Sequence, residues 1–93
     1  MSGSLNPALV PVIGNRFRLQ WEPAQEAYVL LYPEGLVKLN GSAGEIMRRC
    51  DGVRTLAEVV TDLENAYGAT DLSKDVAAFV AMAVEKQWLI LRP

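Results

Sequence analysis

The chain has 93 residues, 51% of them apolar and 22% charged, which fits one small globular domain with a modest core. Its net charge is −2, so it lacks the basic surface that non-specific binding to nucleic acid or to an anionic membrane requires. A single cysteine excludes an intramolecular disulfide, and the absence of histidine removes the commonest general base and metal ligand.

Residues 1–15, MSGSLNPALVPVIGN, are broken by Pro7, Pro11 and Gly14 and show no sustained period. They read as an irregular N-terminal arm. Leu9, Val10, Val12 and Ile13 are too apolar for a solvated tail, so the arm is expected to dock on the domain or on a second copy, giving a homodimer. No signal peptide and no apolar run of membrane-spanning length is visible, and a cytoplasmic location is expected.

Residues 16–93 are expected to form the folded domain. Phe17, Leu19 and Trp21 alternate with Arg18, Gln20 and Glu22, the pattern of a strand with one buried face. Val29, Leu30 and Leu31, flanked by Tyr28 and Tyr32, make a second strand. Pro33 and Gly35 mark a tight turn, and Leu36, Val37, Lys38 and Leu39 make a third strand. Asn40 is a good N-cap for a first helix carrying Ala43, Ile46, Met47 and Cys50 at helical spacing.

Asp51 and Gly52 stop that helix. Thr55 with Glu58 has the capping-box pattern, and Leu56, Val59, Val60, Leu63 and Tyr67 form the stripe of a second helix. Asp71, Ser73 and Asp75 place acceptors and negative charge at the start of a third, whose core stripe is Leu72, Val76, Phe79, Val80 and Ala83. Trp88 to Leu91 is a short apolar tail compatible with a strand. The expected fold class is α+β: a three-stranded antiparallel meander followed by three helices, in the outline of a winged helix-turn-helix.

No arrangement in the sequence supports catalysis. Cys50 lies on an apolar stripe with no histidine to activate it, and Gly35, Gly41, Gly44 and Gly52 form no phosphate-binding motif. The chain is therefore read as a binding module without cofactor or metal, and not as an enzyme. Two features go beyond an ordinary core. Val76 to Val84 is an unbroken apolar run, and Ala77, Ala81 and Val84 give one flank of that helix a shallow profile, with Ala78 and Met82 on the other side. The third strand, last in the meander, is an apolar edge, which proteins either cover or use to accept a peptide strand. Val37→Pro is expected to remove an amide donor from that edge.

The stretch LQWEPAQEAYVLLYPEGLVKLNGSAGEIMRRCDGVRTL resembles the PqqD family of pyrroloquinoline quinone biosynthesis, with YPEGLVKLNGSAGEI and CDGVRT as its most specific blocks. Asp75, Val76, Phe79, Val80, Trp88 and Leu89 extend the resemblance, which covers about Phe17 to Leu91. Gln87 departs from it, standing where a glycine often precedes the tryptophan. The resemblance implies a non-catalytic chaperone of the ribosomally made precursor peptide. Such a protein presents the peptide to a radical S-adenosylmethionine enzyme, which cross-links its Glu and Tyr. It also implies that the peptide adds as a strand to the third strand and lies against the third helix. The expected binding residues are then Leu36, Val37, Lys38 and Leu39 with Ala77, Ala81 and Val84, and Lys38 is a candidate to meet an acidic group. A winged-helix DNA-binding regulator is the alternative on element order, although Lys74 and Lys86 are a poor complement to phosphates. An enzyme that builds the quinone itself is the third class weighed.

Overall fold

A computed structural model describes residues 5–93. The chain runs β1 (Val10–Ile13), β2 (Arg18–Glu22), β3 (Ala27–Tyr32), β4 (Gly35–Lys38), α1 (Gly41–Met47), α2 (Leu56–Tyr67), α3 (Ser73–Glu85) and β5 (Leu89–Arg92). The α+β class, the three helices and the antiparallel meander β2-β3-β4 agree with the sequence reading. The strand count differs: the described residues form five strands, because β1 and β5 pair antiparallel in a sheet of their own.

The expected irregular arm is therefore regular over Val10–Ile13, while residues 1–4 of it lie outside the described residues. A four-residue strand carrying a proline has little periodicity to read. Its partner lies at the far end of the chain, with Val10 opposite Arg92 and Ile13 opposite Leu89. The arm also serves α2. Its Leu9 and Pro7 carbonyls accept from the Leu56 and Ala57 amides at 2.8 and 3.0 Å. The Glu58 amide donates to Thr55 Oγ1, and the Glu58 carboxylate accepts from the Thr55 amide. The free amides that open a helix are thus satisfied by a capping box and by chain from outside the helix.

The core gathers Leu30 from the meander, Ile46, Met47 and Cys50 from the α1 region, Leu56, Val59 and Leu63 from α2, Val76, Val80 and Ala83 from α3, and Leu89 from β5. Cys50 is buried, its thiol donates to the Ile46 carbonyl at 3.3 Å, and burial pushes its pKa up to about 12. That is an inert, structural thiol. Tyr67, expected in the core stripe, is 56% exposed because it is the final residue of α2 and projects past the core.

Helix α3 opens differently from the expectation. Its N-cap is Leu72, with no side-chain cap, and the Glu64 carboxylate accepts the Leu72 amide at 3.0 Å instead. Only Asp75 supplies negative charge in its first turn. Its end explains the departure at Gln87. The Gln87 amide donates to Val84 O and the Trp88 amide to Ala83 O, with Gln87 itself at φ 67°. This is a Schellman close, which needs a left-handed residue and favours glycine there.

Arg49 was not singled out in the sequence, yet it is only 5% exposed. It donates to the Glu45 carboxylate and backbone carbonyl and to the Asp62 carboxylate, pinning α1 to α2. The Arg49 guanidinium, helped by Arg48, holds the Glu45 carboxyl below its usual range, and Arg49 does the same for Asp62.

Candidate functional site

The hairpin β3–β4 is closed by the pair Tyr32 and Gly35, leaving Pro33 and Glu34 at the turn. Strand β4 passes into α1 without a linker, because Asn40 ends the strand and caps the helix, its Oδ1 accepting from the Ala43 amide at 2.8 Å. With the order β2-β3-β4, β4 has a neighbour on one side only. Its other edge is open.

The register decides which groups that edge offers. The Leu39 amide donates inward to Tyr28 O at 3.0 Å. Donating residues alternate along an antiparallel ladder. Val37, opposite Leu30, therefore also points its N–H inward, and Leu36 and Lys38 point theirs out. This corrects the expectation for Val37→Pro: the amide it removes belongs to the hairpin, and the outward donors are those of Leu36 and Lys38. Side chains alternate too, so Val37 and Leu39 share the face of Leu30, while Leu36 and Lys38 lie on the opposite face. Leu36 is 57% exposed and Leu39 is buried.

Between β4 and α3 lies a cleft of about 290 Å³. Val37 to Leu39 form one wall, and Phe79, Met82 and Trp88 form the other. Lys38 lies on the strand side, and the Lys86 ammonium sits 5.9 Å from the centre of the Trp88 ring. Among the described residues, no carboxylate lines the cleft.

The α3 flank expected to face β4 faces elsewhere. Ala77 lines a larger cleft of about 660 Å³ between α2 and α3, with Leu56, Val60 and the arm residues Leu5 and Pro7. Val84 lines another beside Gly14, Phe17 and Leu89. Ala81, half-buried, lines neither of these nor the cleft beside β4. The four strand residues are thus brought to the open edge, and Ala77, Ala81 and Val84 are not. The physical reason is the roll of α3: burying Val76, Val80 and Ala83 carries Ala77 round to the α2 side and leaves Phe79 and Met82 to wall the space beside β4. Met82 stood on the alternative flank in the sequence reading. The helical spacing puts Phe79 on the core stripe, and its intermediate burial places it there in part.

An open strand edge, an apolar helix wall and cations at the margin define a small binding domain suited to an extended peptide. The chain belongs to the PqqD family: the family model described as coenzyme PQQ synthesis protein D matches residues 27–89. It is 48% identical over 84 residues to the PqqA binding protein of Stutzerimonas stutzeri, covering 89% of this chain and 91% of that one. It is 45% identical over 83 residues to the PqqA binding protein of Azotobacter vinelandii, covering 88% and 90%. The fold resembles the solution NMR structure of the PqqD truncation of Methylobacterium extorquens PqqCD, described as a functional, stand-alone recognition element for ribosomally synthesized and post-translationally modified peptides. The TM-score is 0.75 with 24% identity, covering 95% of this chain and 96% of that one, a likeness of fold.

Proposed function

We propose that this protein binds the precursor peptide of pyrroloquinoline quinone by accepting it as a further strand on β4, and presents it to the radical S-adenosylmethionine enzyme of the same pathway. The family membership and the relatives' name, PqqA binding protein, support the peptide as ligand. The observation that carries the mode is the open β4 edge, where Leu36 and Lys38 turn their amides outward beside an apolar cleft. The peptide backbone would take up those groups, and its alternate side chains would enter the cleft against Val37, Phe79, Met82 and Trp88. Lys38 and Lys86 suit a segment with a carboxylate near an apolar anchor. Hairpin β3–β4 takes the place of the wing in a winged helix-turn-helix, turned here to a peptide instead of a duplex.

The role is non-catalytic: the protein orders a flexible substrate and reduces the entropy that the enzyme must overcome. It acts in the cytoplasm, where a ribosomal peptide is made. The binding domain includes β1 as well as residues 16–93, because β1 completes the second sheet. The apolar arm is engaged within its own chain, so a homodimer, if formed, would use another surface or exchange β1 between copies. Calorimetry against the precursor peptide, with and without the partner enzyme, tests this function. Saturable one-to-one binding is expected, tightened by the enzyme, and no heat at any concentration would overturn it.

A further inference from the structure

We infer that the protein carries a second binding surface, on the other side of the β4–α1 junction from the α3 cleft, which takes a cationic side chain presented by a partner protein. Five large hydrophobic residues are notably exposed among the described residues, and two of them, Trp21 at 48% and Tyr67 at 56%, converge on one cleft of about 280 Å³. Tyr28 completes its aromatic wall, with its ring centre 5.0 Å from that of Trp21 and the planes at 66°. Tyr28 is held in place by α1. A Cβ on Gly44 would come within 3.0 Å of its ring, so the glycine permits the close approach. Gly41 and Gly44 keep part of the α1 side of the cleft free of side chains.

Among the described residues, the charged side chains that line the cleft are both acidic, Glu26 and Glu45. Glu45 is already shared between Arg48 and Arg49, so Glu26 supplies the unneutralised carboxylate. Glu26 makes no ion pair among the described residues. It is placed by the β2–β3 turn at φ 49°, its amide donating to Pro23 O at 3.2 Å. Aromatic faces and a carboxylate together attract a cation, and a guanidinium also stacks on such rings. A purely apolar partner would leave Glu26 without a counter-charge. The complement is therefore an arginine or lysine on a protruding segment of another protein, separate from the peptide on β4.

The test is an NMR titration of the whole, isotopically labelled chain with three small probes: N-acetyl-arginine amide, N-acetyl-lysine amide and N-acetyl-norleucine amide. The two cationic probes should shift the Trp21 indole N–H and the Gly41 and Gly44 amides saturably, with arginine the tighter. Norleucine should not, and the Leu36 and Lys38 amides of β4 should hardly move. Trp21→Ala and Glu26→Gln should each weaken arginine binding about five-fold, the size expected for losing one cation–π or one screened charge contact. Glu26→Gln changes an exposed turn residue, so it keeps the comparison valid even if Trp21→Ala disturbs the fold. An equal response to norleucine would overturn the proposal, as would no saturable response to either cation or unchanged affinity in Glu26→Gln.

Discussion

Proline substitutions at two adjacent positions of β4 should have opposite consequences. In Val37→Pro the lost amide points at Leu30 O, inside the hairpin. Leu30 is fully buried, so its carbonyl cannot turn to water. The lost hydrogen bond costs about 1 kcal/mol, and an unsatisfied buried carbonyl adds about 1–3 kcal/mol. For a domain of this size that corresponds to a fall in Tm on the order of 10–20 °C. In Lys38→Pro the lost amide points to solvent, and proline is tolerated on such an edge, so the melt should move by no more than a few degrees. Peptide binding should suffer instead. One ladder bond disappears and the ring occupies the place of the incoming strand, which should weaken affinity about ten-fold or more. Lys38→Gln removes the charge and keeps the amide, and should retain most of the affinity. The assay is a thermal melt and a calorimetric titration with the precursor peptide for each variant. A folded Lys38→Pro protein with unchanged affinity would refute strand addition on β4. A Val37→Pro protein as stable as the parent would refute the assigned direction of the amides.

Met82→Glu should abolish peptide binding while Ala77→Leu leaves affinity unchanged, because Met82 lines the cleft beside β4 and Ala77 lines the one against α2; the same titration reads both. Gln87→Gly should raise stability by about 0.5–1 kcal/mol in urea unfolding, since the left-handed position strains any residue with a Cβ. Glu45 and Asp62 have folded-state pKa values below their unfolded ones, so they add stability above the unfolded values, lost as pH falls through the folded ones. The urea midpoint should therefore drop as the pH falls through and below the ordinary carboxylate range, and Arg49→Met should reduce that drop. An acid limb unchanged in Arg49→Met would show that other carboxylates set it.

Much of the meander and helix boundaries was legible from local chemistry. The Asn40 cap and the Thr55–Glu58 box each act within a few residues and form as the sequence indicates, and the first meander strand forms over Arg18–Glu22, but Trp21, expected on its buried face, is 48% exposed. What escaped depends on distant partners. β1 pairs with β5 from the far end of the chain, and the roll of α3 is set by burying Val76, Val80 and Ala83 in a core drawn from distant elements. Arg49 is another case: a lone arginine in a polar pair gives no hint that Asp62 on the next helix will bury it. The β4 residues of the candidate site were readable because an edge follows from strand order. Phe79 and Met82 were harder to place, since a sequence determines the angle between two helix flanks but not which neighbour each will meet.

The pairing of β1 with β5 also bears on how the chain reaches this state. Every strand pairing of the meander joins residues close in sequence, whereas Val10 meets Arg92 across almost the full described length. Local hairpins form quickly, and distant strands must wait for a large loop to close. During synthesis β4 and its open edge can be assembled while β1 still has no partner strand. The clasp of the two ends can then close last, on a meander whose β4 edge is already formed.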